Sequence, residues 1–137
     1  MKTRTIVLAG LCLATTPALA VRAPEDPTRT HAQNGVVFRS GGVGLEERDA
    51  LRRTSGDFDL KLEFAEAEPR RHYVAGVRVV IEDLAGTMLV DAVTQGPWFF
   101  ARLREGEYLV RASYGGRIEE KRITVSAEGQ RQLTFLW

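Results

Sequence analysis

The best recognition chemistry in this chain lies in Phe99, Arg102, Arg104 and Arg111. A guanidinium is a planar fork of hydrogen-bond donors that matches carboxylates and other acidic groups, and an aromatic ring beside it adds a flat apolar surface. Phe99 falls on the strand face opposite Trp98, and the three arginines follow close behind it in sequence. The competing reading is that a helix over Leu45–Arg53 covers Phe99 and that the arginines are simply solvated.

Other residue groups are weaker. Asp57 and Asp59 share one face of an alternating segment. Paired carboxylates can do acid–base work or hold calcium, but no Asp-x-Asp-x-Asp-Gly run is present, so an outward strand face is the better reading. The histidines are only two, His31 and His72. A zinc site needs three or four ligands. Gly41-Gly42-Val43-Gly44 precedes the helix like a phosphate-cradling loop, yet Leu45-Glu46-Glu47 follows where Gly-Lys-Ser/Thr would be needed, and two acidic residues repel phosphate. No Gly-x-Ser-x-Gly elbow occurs. We therefore expect no catalytic residue, no metal and no cofactor, and an enzyme is the least favoured class.

Composition narrows the partners. The chain has 137 residues, 44% hydrophobic and 27% charged, with net charge +1. That fits one folded domain and lacks the basic excess a general nucleic-acid binder needs. The first twenty residues read as a signal peptide. Lys2 and Arg4 precede the apolar stretch Ile6–Ala14, and Ala18-Leu19-Ala20 fits cleavage after Ala20. The stretch is too short to span a bilayer, so no membrane span is expected in the mature protein. Cleavage removes Cys12 and leaves 17 basic against 18 acidic residues, a net charge of −1. The expected destination is export, to a periplasm.

These side chains need elements to place them. Residues 21–35, with two prolines and few apolar residues, read as a flexible arm. Val36–Phe38 is β-prone. Leu45–Arg53 reads as the one helix, with Glu46 and Glu47 in its first turn and Arg52 and Arg53 in its last, as the helix dipole favours. From Asp57 the period becomes two. Phe58, Leu60, Leu62 and Phe64 alternate with charged residues, which predicts a half-buried strand. Further strands are expected over residues 77–82, 87–94, 98–103, 108–112, 118–125 and 130–137, with a hairpin turn at Gly115-Gly116. Such spacing predicts a mostly β fold: a seven-stranded antiparallel sandwich with one short N-terminal helix. Leu133, Phe135 and Trp137 are expected to point into its core.

Within this pattern, Val77, Val79, Ile81, Asp83 and Gly86 resemble the first hairpin of a carboxypeptidase-regulatory-like domain. Gly96, Trp98, Phe100, Leu103, Gly106 and Tyr108 resemble its glycine–aromatic run ending in Leu-x-x-Gly-x-Tyr. The resemblance covers residues 72–137 and implies a transthyretin-like, Ig-like sandwich, with residues 36–71 as a strand–helix–strand addition. The upstream SGGVGLEERDAL and DLKLEFA are similar to small exported bacterial proteins that carry this domain. A transthyretin-like hydrolase would need several histidines and a Tyr-Arg-Gly-Ser tail, and this chain ends Thr134-Phe135-Leu136-Trp137.

The resulting expectation is a non-catalytic exported binding or accessory module of the cell envelope, its partner an envelope protein or ligand of unknown identity. The alternative is an assembly protein that pairs through an exposed edge strand.

Overall fold

The computed structural model describes residues 29–137. The expected signal peptide and most of the expected arm, residues 1–28, lie outside the described residues. Two β-sheets pack face to face. In chain order the elements are β1 (His31–Gln33), β2 (Val36–Gly41), α1 (Leu45–Arg53), a 3-10 turn (Ser55–Asp57), β3 (Leu60–Glu66), β4 (His72–Tyr73), β5 (Arg78–Asp83), β6 (Met88–Val93), β7 (Trp98–Ala101), β8 (Gly106–Tyr114), β9 (Arg117–Val125) and β10 (Arg131–Leu136).

The first sheet runs β1-β2-β7-β3-β10, with β4 added to the end of β3; the second runs β6-β5-β8-β9. The mostly β reading holds, with two differences. Among the described residues there are ten strands where seven were expected. The first sheet is mixed, because β10 runs parallel to β3, pairing Leu133 with Leu62 and Phe135 with Phe64. After β9 the chain crosses from one sheet to the other, and alternation along a strand carries no information about its partner's direction.

The expected arm also loses its last residues to the fold. His31–Gln33 pair antiparallel with Val36–Phe38 across Asn34-Gly35. Both turn residues have positive φ, 47° and 79°, as a two-residue hairpin turn needs. Three strand residues are too few for a hydrophobic period, so only the Asn-Gly pair marked this hairpin.

The core lies between the sheets. From the first sheet come Phe38, Leu60, Leu62, Phe64, Phe99 and Phe135, and from the second Val79, Ile81, Val90, Val110, Ala112 and Ile123. Period-two alternation puts these side chains on one face of each strand. A second, smaller cluster lies on the outer face of the first sheet. There α1 buries Leu51 against Phe58, Trp98 and Phe100.

Strand β7 joins both clusters. All four of its residues are buried, Trp98 and Phe100 outward under the helix, Phe99 and Ala101 inward. Phe58 belongs to the outer cluster too, so it is out of phase with Leu60, Leu62 and Phe64 and precedes β3. Gly96 sits where a Cβ would lie 2.3 Å from the Gly41 backbone. Its requirement is close approach of two segments of the chain, not positive φ.

Helix α1 has no side-chain N-cap. The Gly42 N–H instead donates to the Glu47 carboxylate (2.7 Å), and Arg48 Nε donates to the Gly42 carbonyl (2.6 Å). At its other end Arg39 donates to the Thr54 hydroxyl (2.9 Å), tying the helix to β2.

Candidate functional site: a cleft at one end of the sandwich

The four candidate residues do not form one surface: Arg102 and Arg104 line the same cleft, while Phe99 and Arg111 lie elsewhere. Phe99 is 0% exposed, packed between the sheets against Phe38 with ring centroids 5.5 Å apart. It cannot offer its ring to a ligand, which corrects the surface role expected of it. Helix α1 does not cover it either; the helix covers Trp98 and Phe100 on the opposite face. Arg111 lies on the outer face of the second sheet, between Glu120 (3.1 Å) and Glu82 (3.4 Å). That is a cross-strand charge ladder, as partly exposed strands use. Arg102 donates through Nε to the Asp57 carbonyl (2.9 Å), and its guanidinium lies 5.4 Å from the centre of the Phe58 ring. Of the three candidate arginines, Arg104 alone has a guanidinium with no side-chain partner among the described residues.

Arg104 lines a cleft of about 390 Å³ at the end of the sandwich where β8 begins. Three turns build its walls. The β1–β2 turn contributes Asn34, Gly35 and Val36; the β5–β6 turn contributes Asp83 and, beyond it, Leu89; the β7–β8 loop contributes residues 102–104. Tyr108 also lines it.

Each wall is held in place. Asn34 Nδ2 donates to the carbonyls of Met88 (3.2 Å) and Leu89 (3.4 Å). Gln33 pairs its amide with both the N–H and the carbonyl of Asp91, at 2.8 and 3.1 Å. The β1–β2 turn is thereby fastened to β6 of the other sheet. Asp83 accepts the Thr87 N–H through Oδ1 (2.8 Å). Asp59 accepts the Leu103 N–H (2.9 Å), which bends the chain as it leaves β7. The phenol of Tyr108 donates to the Arg104 carbonyl (2.7 Å).

Tyr108 and Asp83 are directly opposite in the β5–β8 ladder, so both side chains point to the interior face at this end. Burial pushes the Tyr108 phenol above its ordinary pKa; the Arg104 charge pulls it down, and Asp59 and Asp83 add to the rise. The phenol therefore stays neutral and remains a donor at physiological pH.

Sequence reasoning reached Arg104 and missed Asp83, Asn34 and Tyr108. The signal for Asp83 and Tyr108 was their strand phase, two residues beyond the buried Ile81 and two before the buried Val110. The sequence already reads Tyr108 as inward with Val110 and Ala112; reading Asp83 as inward too would have placed them together.

The other sites considered do not assemble. His31 stacks on Phe38, and His72 pairs with Glu66 (2.7 Å). Asp57 ends the 3-10 turn while Asp59 is used by Leu103. Among the described residues no group of three or more His, Cys, Asp or Glu could hold a metal ion. No helix among them is long and apolar enough to cross a membrane. A larger cleft, about 550 Å³, lies where β8 ends, lined by Glu66, Glu68, Tyr114, Arg117 and Trp137. Its Glu66 is committed to His72, and its Trp137 is buried against Phe64, Phe135 and Tyr114, which leaves little ring surface to offer.

Comparison with protein families, with curated proteins and with solved structures finds no match.

Proposed function

We propose that this chain is an exported, non-catalytic binding or accessory module of the cell envelope, on a sandwich of the carboxypeptidase-regulatory-like kind. The observation that carries the reading is the Arg104 cleft: rigid walls from three tied-down turns, a buried apolar floor, and a guanidinium with no partner among the described residues. Concave, largely preformed pockets with a few polar groups are what small-ligand sites look like. The export half of the proposal rests on the signal-like first twenty residues. The sandwich family rests on the motif between Val77 and Tyr108.

The edge-pairing alternative has less support. Strand β9 is a nine-residue edge with one neighbour in its sheet. It is studded with Glu119, Glu120, Lys121 and Arg122, charges that protect an edge from pairing. The edge of β6 is covered by the Gln33 and Asn34 amides, and Lys121 Nζ donates to the Thr134 carbonyl of β10 (2.7 Å).

Cell fractionation and affinity capture test the proposal together. Tagged full-length protein expressed in a bacterial host should appear in the periplasmic fraction beginning at Val21. It should recover an envelope component that Arg104→Ala fails to recover. Retention in the cytoplasm, or equal recovery by the variant, would contradict it.

A further inference from the structure

The Arg104 cleft carries opposite charges on facing turns that do not touch. Arg104 comes from the β7–β8 loop and Asp83 from the β5–β6 turn, and both line the same space. Elsewhere this molecule closes such pairs. Arg78 and Asp91 meet at 2.8 Å, and Arg111 reaches two glutamates. Arg104 and Asp83 make no ion pair. Asp83 spends Oδ1 on the Thr87 N–H, and Oδ2 has no hydrogen-bond partner among the described residues. The floor between them is apolar, with Val36 and Leu103 buried and Leu89 half-buried. The Tyr108 hydroxyl already donates to the Arg104 carbonyl, which fixes the loop that presents the guanidinium.

We propose that this cleft binds a small zwitterion of amino-acid to dipeptide size, its carboxylate on Arg104, its ammonium on Asp83 and its apolar side chain against Val36, Leu89 and Leu103. This rests on the binding-module reading and names its ligand class. A guanidinium prefers a carboxylate because the planar fork fits both oxygens. A carboxylate with one oxygen already committed still accepts an ammonium at the other. A ligand with both charges bridges the gap that the protein leaves open, and the cavity volume lies within the range of small-molecule pockets. Two groups of opposite charge also discriminate. A ligand lacking either end leaves one protein charge unpaired in a partly desolvated cleft.

Heteronuclear NMR on the isotope-labelled, exported protein tests this. The probes are L-alanyl-L-leucine, its N-acetyl derivative and its C-terminal amide. The dipeptide should shift the amide signals of Gly35, Arg104 and Tyr108 saturably. Blocking either end should weaken binding at least tenfold. Arg104→Ala should bind the free acid and the amide alike. Asp83→Asn keeps an oxygen for Thr87 and should bind the free and acetylated amines alike. Unshifted signals in the β9–β10 strands show that both variants stay folded. Equal binding of the acetylated and free dipeptides by the native protein would overturn the zwitterion while leaving the binding module standing. Shifts confined to Tyr114, Gly115 and Arg117, or none with any probe, would also overturn it. Loss of Arg104-dependent capture from envelope extract would instead remove the binding-module reading itself.

Discussion

Strand β7 has two hydrophobic faces that close in different ways. Inward, Phe99 and Ala101 enter a core with a sheet on each side, and Phe99 has no contact with water. Outward, Trp98 and Phe100 are closed by a nine-residue helix that contributes one fully buried side chain, Leu51. Cationic side chains complete that second enclosure. Lys61 Nζ lies 4.4 Å from the centre of the Trp98 ring, Arg52 5.3 Å and Arg48 5.9 Å, while Arg39 and Arg102 flank Phe58 at 5.2 and 5.4 Å. Long basic side chains lay their methylene stems on apolar surface and keep their charge in water. Between the sheets one cation lies over a core ring, Lys121 at 5.0 Å from Phe135; over the short helix's cluster there are five. Most of the cations on this face are therefore covering rings, whereas Arg104, at the end of the sandwich, lines a cleft.

Truncation should separate the two enclosures most strongly. Phe99→Ala leaves a cavity in a core that cannot collapse and should cost about 3–5 kcal/mol of global stability. Leu51→Ala should cost less, near the lower end of the about 2–5 kcal/mol range for buried leucine, because a short helix can resettle. Chemical denaturation of both variants checks the order. If Leu51→Ala proves the more damaging, the helix is part of the main core and the contrast fails.

Tyr108→Phe should come next in size. It deletes the hydrogen bond to the Arg104 carbonyl, worth about 1 kcal/mol. It also removes a tyrosine step that burial holds above the ordinary phenol value. Since the folded phenol titrates above the unfolded one, its stabilisation is full below about pH 10 and is lost as pH rises through the raised value. Phenolate absorbance of native protein and variant reads this directly. The same late step in both would show that Tyr108 is not the shifted group.

The smallest effect belongs to the outer face of the second sheet. Hydrogen bonding from the Arg78 guanidinium holds the Asp91 carboxyl below its usual range, with burial opposing it. The carboxylate's contribution is present above about pH 4 and fades as pH falls through the depressed value. The pair is solvent-exposed, so salt should screen most of it. Thermal melts of Asp91→Asn between pH 2 and 5 should show a slightly shallower acid slope than the native protein. An unchanged slope would mean the pair contributes nothing.

Much of this architecture was legible in the residues. Leu45–Arg53 is helical to the residue, because charge order and the following Gly56 mark both ends. The Gly115-Gly116 turn and the inward run Tyr108, Val110, Ala112 stand where period and turn chemistry put them. What failed was phase in segments apolar on both faces. Trp98-Phe99-Phe100 has no polar residue to say which side is out, so the ring judged accessible is the one most deeply buried. Phe58 keeps the spacing of Leu60 and Leu62, yet the helix draws it to the other side. The cleft was legible only in part, since Arg104 shares it with Asp83 and Asn34, which local sequence reads as turn residues. Their meeting depends on the β5–β8 register and on Gln33 and Asn34 reaching β6, the latter two contacts spanning more than fifty positions.

The claim that joins these points is that this protein recognises its partner at the Arg104 cleft and not at the cation-ringed helix face. Affinity capture from envelope extract, run side by side with native protein, Arg104→Ala and the double variant Arg48→Ala/Arg52→Ala, tests it most directly. The account predicts that the helix-face double variant recovers the same component as the native protein while Arg104→Ala loses it. Recovery lost with the double variant and kept with Arg104→Ala would contradict it.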